Sequence, residues 1–372
     1  MDEDKILITF IMGTRPEIIK LAPLIKGFQN NRIFKVRVVL TGQHLEMADN
    51  LLKLFEIKED LNLRLMKSNQ TLTHITTEVI KGLKNEFSNY LPRLVFIQGD
   101  TSTAFAAALA SFFEKIPIAH VEAGLRTFDL MNPFPEEANR RLISQIANIH
   151  FAPTQKALLN LKEYGIKENL FITGNTVIDS IFLLKKIKSK KNANFLKNLK
   201  NKFILITIHR RENWGENLDI ILNTLLLITK KHNNITLLFP MHKNEIIRTK
   251  IKKFLGNNER IILTEPLDYD VFINALTDCY FILTDSGGIQ EEAPSFGKPV
   301  LILRESTERK EAIDSGTAIL VGNNSEKILY LVNELLTNSS FYKSMQIDKN
   351  PFGDGNATEN IIKHIVKYFK EN

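Results

Sequence analysis

Short apolar runs alternate with longer stretches whose apolar positions recur every three or four residues, and this alternation occurs twice along the chain. In the first batch, Lys5 to Met12 (KILITFIM), Lys35 to Leu40 (KVRVVL), Leu94 to Gln98, Ile116 to His120 and the segments IHFAPT and NLFITGNT read as strands. Continuous apolar runs of this kind suit parallel strands buried on both faces. Ile18 to Phe28, Leu72 to Phe87 and the small-residue run TSTAFAAALASFF carry helical spacing between them. After Asn175 the pattern changes: Ile178 to Lys188 continues as a helix into a lysine-rich stretch, Lys185 to Lys202, and the alternation restarts at Phe203. Strands are predicted there at Phe203 to Ile208, Thr236 to Phe239, Ile261 to Leu263, Tyr280 to Leu283 and Val300 to Leu303. A last helix, Ala357 to Phe369, has no strand after it. Strands alternating with helices in two batches predict an α/β fold of two Rossmann-like, doubly wound domains with a cleft between their carboxyl edges. The expected boundaries are 1–176 and 177–354, with 355–372 a helix packing back on the first domain.

A chain of 372 residues exceeds what one core usually supports, in keeping with two domains. The formal charge of +7 raises nucleic acid as a partner, but the lysine-rich stretch has little aromatic interleaving and reads as a solvated linker. A modest positive excess suits anionic small substrates equally well. Cys279 is alone, which leaves no disulfide framework and no thiolate metal cluster. The beginning, MDEDKILITF, is acidic where a signal peptide is basic, and no apolar run approaches a bilayer-spanning length. The expectation is a cytoplasmic protein with no membrane and no nucleic acid among its partners.

The chemistry narrows first by exclusion. G-x-G-x-x-G after a strand, G-x-x-x-x-G-K-[ST] and H-E-x-x-H are all absent, so neither a nicotinamide cofactor, a Walker-type nucleotide loop nor a metal site is expected. What stands out is LTDSGGIQEEAPSFGKPVL, in which a strand ends in Asp285, Ser286, Gly287 and Gly288 form a small-residue turn, and a helix opens at Ile289. A phosphate there meets unpaired backbone N–H groups and the positive end of a helix dipole. Glu291 and Glu292, a turn further on, would repel phosphate, and one of them is expected to accept hydrogen bonds from ribose hydroxyls. An ordinary capped helix has the same local sequence, and both readings stand at this point. Arg15, in the turn GTRPE, falls at the carboxyl edge of the first sheet, with Lys20 a turn on. Asp100, Glu122, Arg126, Glu136 and Glu137 follow predicted first-batch strands, and His209 and Arg210 follow the first strand of the second. Singly, Asp100 is as well explained as a helix N-cap, whereas three acids converging on one site call for a proton-transfer task.

The motifs GTRPEIIKLAPL, GQH-x-x-M, QGDT, HVEAGLRT, PFPEEANR, ITGNTVID, HRREN-x-G, P-x-HKN, LTDSGGIQEEAPSFGKPVL and NPFGDG, in order from about Leu7 to Gly355, resemble the non-hydrolysing UDP-N-acetylglucosamine 2-epimerases. The resemblance implies a GT-B fold, a homodimer and interconversion of UDP-N-acetylglucosamine and UDP-N-acetylmannosamine, supplying cell-surface polysaccharide biosynthesis, with no cofactor. Position by position it makes Asp100, Glu122 and Glu136 the catalytic acids and His209 a histidine that helps to hold the leaving nucleotide. It puts UDP on Arg15, Lys20, Phe272, Ser286, Gly287, Gly288, Glu292 and Arg309. Gln43 and His44 sit where bacterial relatives bind a second, activating UDP-N-acetylglucosamine. Two departures, Lys310 where the family commonly has proline and Leu267 where some relatives have glutamine, bear on fine substrate choice. A hydrolysing relative, an epimerase of a diacetamido uronic sugar and a GT-B glycosyltransferase are the neighbouring possibilities.

Overall fold

A computed structural model describes residues 5–42, 45–65, 70–186, 196, 199, 202–210 and 213–371. It divides into two compact units, one made of Met1–Lys186 with Phe352–Asn372 and the other of Ile187–Pro351.

The first unit runs β1 (Ile6–Met12), α1 (Arg15–Gln29), β2 (Phe34–Leu40), α2 (Leu45–Leu54), β3 (Leu61–Asn62), α3 (Leu72–Asn89), β4 (Leu94–Gln98), α4 (Ser102–Phe113), β5 (Ile118–Val121), α5 (Glu136–Ile146), β6 (Ile149–Ala152), α6 (Gln155–Glu163), β7 (Leu170–Ile172) and α7 (Thr176–Lys186). Its strands form one sheet in the order β3-β2-β1-β4-β5-β6-β7. Every pairing in it is parallel. The order reverses direction at β1, between β2 and β4, which is the switch point where doubly wound sheets bind ligands at their carboxyl edge. The core explains the alternation seen in sequence: Phe10 of β1 stacks on Phe96 of β4 with ring centroids 4.6 Å apart, and Phe28 of α1 packs on both. On the other face Ala104, Ala106, Ala107, Ala108 and Ala110 of α4 are buried, their lack of bulk letting the helix lie close to its neighbours.

The second unit runs β8 (Lys202–Thr207), α8 (Glu216–Lys231), β9 (Ile235–Pro240), α9 (Glu245–Leu255), β10 (Ile261–Thr264), α10 (Tyr269–Asp278), β11 (Phe281–Thr284), α11 (Gly287–Glu292), a 3₁₀ turn (Ala293–Phe296), β12 (Val300–Ile302), α12 (Lys310–Asp314), β13 (Ala318–Leu320), α13 (Ser325–Thr337) and α14 (Ser339–Ser344). The sheet order is β10-β9-β8-β11-β12-β13, again parallel, with its switch point at β8. Its core is aliphatic, with Ile204, Ile206, Leu237, Leu283 and Leu301 from the strands against Leu222, Leu225 and Ile228 of α8.

The dividing lines differ from those expected at 176 and 355. α7 belongs to the first unit because it packs on α1, with Ser180 Oγ donating to the carbonyl of Ile19 at 2.5 Å. The last helix, α15 (Ala357–Glu371), packs on α1 and α7 of that unit and buries Ala357, Ile361 and Ile365. Asp179 of α7 accepts the backbone N–H of Thr358 at 2.8 Å at the helix start. No helix among the described residues is long and apolar enough to cross a membrane.

Candidate functional site

In the first unit the candidate residues gather at the carboxyl edges of β1, β4 and β5, around the switch point. After β1, Gly13 leaves no room for a side chain: a Cβ there would lie 2.1 Å from Thr41 Oγ1 and 2.6 Å from Thr103 Oγ1. The turn is closed by Glu17, whose carboxylate accepts the N–H groups of Gly13 at 2.8 Å and Thr14 at 2.6 Å and the hydroxyl of Thr101 at 2.5 Å. Burial raises the Glu17 carboxyl above its ordinary pKa, against the lowering effect of those bonds. With the turn held in this way, α1 starts at Arg15, which is half-buried, and carries the buried Lys20 one turn later.

Lys20 meets Glu122. Its Nζ donates to Oε1 at 2.5 Å, Asn175 Nδ2 lies 3.5 Å from the same oxygen, and the Gln98 side-chain amide donates to Oε2. Glu122 directly follows β5 and has a φ of 64°, a left-handed conformation that costs a non-glycine residue free energy and is characteristic of functional turns. His120 beside it is fully buried, with Nε2 2.7 Å from the Gly99 carbonyl oxygen, and burial pushes its pKa down to about 3, so the ring stays neutral.

Asp100 proves not to be the cap of the helix that follows it. Thr101 caps α4, its hydroxyl accepting from Ala104 N at 2.9 Å, while the Asp100 carboxylate takes both Nε, at 3.0 Å, and Nη2 of Arg140. Arg140 also donates to Glu137 at 3.2 Å. The adjacent acids of α5 therefore separate by task. Glu137 is fully buried and accepts Arg141 at 2.8 Å and the Thr127 N–H at 2.9 Å, closing the long connection after β5. Glu136 is half-buried at the helix start. Arg126 turns into the structure, donating to Ser144 Oγ at 2.8 Å and lying over the Tyr164 ring at 4.7 Å. Burial lowers its pKa to about 10, at which it is still a cation near neutrality.

In the second unit the equivalent edge carries a different chemistry. Asp285, with no exposed surface, accepts the N–H of His209 at 3.0 Å to each oxygen, that of Arg210 at 2.9 Å and Asn213 Nδ2 at 2.9 Å. One carboxylate thus ties the turn after β8 to the turn after β11. Ser286, Gly287 and Gly288 then lead into α11, which continues as the 3₁₀ turn. A Cβ on Gly287 would lie 2.8 Å from Arg309 Cζ and Nη1, so the guanidinium rests directly on the glycine. Arg309 is fixed by Glu291, its Nε donating at 2.9 Å, and by Glu308. Glu308 is shared with Arg304 at 3.0 Å and Arg210 at 3.7 Å; despite an opposing effect of burial, the three guanidinium groups hold its carboxyl far below the ordinary range. Of the two glutamates expected near a ribose, Glu291 is thereby occupied with Arg309, and Glu292 accepts from Tyr269 Oη at 2.9 Å. Phe272 lies half-buried on α10, on the same helix as Tyr269. The His209 ring is exposed, 5.6 Å from that of His242.

Gln43 and His44 lie outside the described residues. Among the described residues no group of three or more His, Cys, Asp or Glu is placed to hold a metal ion. Sequence reasoning counted Glu137 among the acids of the first batch without its structural task, and missed Gln98 and Glu308. The available signal for Gln98 was a polar residue ending an otherwise apolar strand, LVFIQ; for Glu308 it was only its adjacency to Arg309.

Comparison with known proteins bears on both edges. A family model described as UDP-N-acetylglucosamine 2-epimerase matches residues 26–366. A Campylobacter jejuni protein named UDP-N-acetylglucosamine 2-epimerase is 47% identical over 98% of this chain and 97% of its own length. The crystal structure of the Neisseria meningitidis UDP-GlcNAc 2-epimerase bound to UDP-GlcNAc is similar with a TM-score of 0.93 at 42% identity, over 97% of this chain and all of that one. The Methanocaldococcus jannaschii UDP-GlcNAc 2-epimerase in complex with UDP-GlcNAc and UDP gives a TM-score of 0.85 at 34% identity, over 98% and 100% of the two chains. These likenesses make the two-unit arrangement of parallel sheets a GT-B-type fold.

Proposed function

The chain belongs to the UDP-N-acetylglucosamine 2-epimerase family, and from that premise we propose that it interconverts UDP-N-acetylglucosamine and UDP-N-acetylmannosamine without releasing free sugar. The hydrogen on carbon 2 has no neighbouring carbonyl, so an ordinary carboxylate cannot remove it from the intact sugar. The proposed route is elimination. As the bond from carbon 1 to the UDP oxygen stretches, positive charge on the ring acidifies the neighbouring hydrogen; a carboxylate takes that proton, UDP departs with the bonding pair, and 2-acetamidoglucal remains. In re-addition an acid delivers a proton to the opposite face of carbon 2, and the UDP oxygen re-forms its bond to carbon 1 on the face that it left. Two faces need two proton-transfer groups, and their protonation states must differ at the moment of reaction.

Asp100, Glu122 and Glu136 are assigned the proton transfers in this reading. Arg15, Lys20, Phe272, Ser286, Gly287, Gly288, Glu292 and Arg309 are assigned to UDP, with His209 assisting its departure. Well-placed donors facing the leaving diphosphate are worth on the order of a few kcal/mol each. Gln43 and His44 are proposed to take a second, activating substrate molecule. The exposed Tyr90, Leu91, Phe112 and Phe113, at the ends of α3 and α4, support a homodimer as the working form.

The observation carrying this reading is that both sheets reverse at a switch point, one edge bearing hydrogen-bonded carboxylates and the other a glycine turn under an arginine. The test is turnover of UDP-N-acetylglucosamine in heavy water. Deuterium at carbon 2 of both epimers, with no free sugar, is expected. Stoichiometric free N-acetylmannosamine would assign the hydrolysing reaction instead, and no exchange by a folded, UDP-binding preparation would overturn the reading.

A further inference from the structure

Glu122 has an unusual set of partners for a carboxylate that must gain and lose a proton. Oε1 faces the ammonium of Lys20 at 2.5 Å, while Oε2 is met by a neutral amide, that of Gln98. Gln98 is 3% exposed and ends β4, and strand register pairs it with Val121, the residue immediately before Glu122. The sheet itself therefore delivers the amide to the carboxylate. A side-chain amide carries two donors on nitrogen and an acceptor on oxygen, almost identical in shape, so a half-turn about its last bond replaces one by the other. It donates to an ionised carboxylate and, turned over, accepts from the protonated acid.

We propose that Gln98 is a positioning residue that allows Glu122 to change protonation state without leaving its place. This rests on the assignment of Glu122 to proton transfer made above. A fixed donor such as a second lysine would hold Glu122 ionised, and an apolar residue would take the amide partner away from a buried oxygen in both states. Three titratable groups on the surrounding elements meet other partners. Glu17 of α1 closes the Gly13 turn, Asp100 beyond β4 pairs with Arg140 of α5, and the His120 imidazole of β5 meets the Gly99 carbonyl. Asn175, which precedes α7, adds an uncharged amide to the Lys20 side of the carboxylate.

The experiment is the pH dependence of kcat and kcat/KM in Gln98→Leu and Gln98→Glu, with Glu122→Gln as reference. Loss of the Gln98 donor destabilises the ionised carboxylate, so the limb governed by Glu122 should move up by about one pH unit in Gln98→Leu. kcat should fall on the order of tenfold, with KM changing less. In Gln98→Glu, which keeps the shape, two carboxyl groups must share one proton, and activity should survive toward acid and collapse as pH rises. Wild-type profiles in either variant would overturn the proposal. Should Gln98→Leu fail to fold, Gln98→Glu decides. An inactive Glu122→Gln beside unshifted Gln98 variants removes only the role of Gln98, whereas a fully active Glu122→Gln removes the assignment of Glu122 itself.

Discussion

The carboxyl edges of the two sheets share a topology and differ in how they hold charge. In the first unit Asp100 and Glu122, which follow different strands, are held apart, Asp100 on Arg140 and Glu122 on Lys20 and Gln98, while Glu137 shares Arg140 with Asp100 and also takes Arg141. In the second, three guanidinium groups converge on Glu308, and the turn beside them is shaped mostly by backbone. Separately held carboxylates suit proton transfers at distinct positions, because the ionisation of one is not forced by another. A pooled cationic cluster over a glycine turn suits a spread-out anion, for which total field matters more than the state of any one group.

The widest gap between the edges should appear on removing an acid. Glu122→Gln, Asp100→Asn and Glu136→Gln are each expected to lower kcat by roughly a thousandfold or more. Affinity for UDP, measured by calorimetry, should stay within a few-fold of wild type; a parallel loss of UDP binding would erase the proposed division of labour.

Next in size is Glu308→Gln, which leaves three guanidinium groups without their common counter-ion and should cost about 3 kcal/mol of unfolding free energy. The pH dependence gives the sign. The folded-state pKa of Glu308 lies below its unfolded value, so its contribution is fully present above about pH 4.5 and is lost as pH falls through the folded pKa. Denaturant midpoints should therefore lose part of their acid slope in the variant.

Gly287→Ala sharpens the comparison from the other side. An added Cβ would lie 2.8 Å from the Arg309 guanidinium and push it off the turn. UDP affinity should fall about ten- to a hundredfold, or roughly 1.4 to 2.7 kcal/mol. kcat at saturating substrate should change far less than in the acid variants.

Near neutral pH the smallest effect concerns the packing under the acids. His120 is held neutral, with a folded pKa of about 3 against an ordinary 6.5, so the unfolded chain takes up a proton that the folded chain refuses. Stability should decline by about 1.4 kcal/mol per pH unit as pH falls from 6.5 toward 3 on this account. His120→Asn should flatten that slope by one proton, read from denaturant midpoints at several pH values.

Much of this arrangement was legible from residue pattern. Apolar runs such as KILITFIM and the glycine-bearing turns after them marked the strands and their carboxyl edges, because local spacing and backbone freedom are written in consecutive residues. Strands as short as Leu61–Asn62 and Ala318–Leu320 escaped notice, being too brief to show a period. The assignment of partners was also illegible. Whether Asp100 or Thr101 caps α4, and whether Glu291 or Glu292 holds Arg309, depends on side chains up to 40 residues away reaching the same point. The end of the first unit at Lys186 likewise depends on α7 packing against α1, which no local pattern records.

That last packing has a consequence for biosynthesis. α15 covers α1 and α7, and Phe369 lies against Phe34 with ring centroids 6.0 Å apart, so the first unit lacks part of its wall until that helix leaves the ribosome. The second unit, by contrast, is continuous and has all its strands beforehand. Vectorial synthesis should therefore let the inserted unit mature first, leaving the earlier-made one, with its carboxylate-bearing edge, waiting on a helix made after the inserted unit.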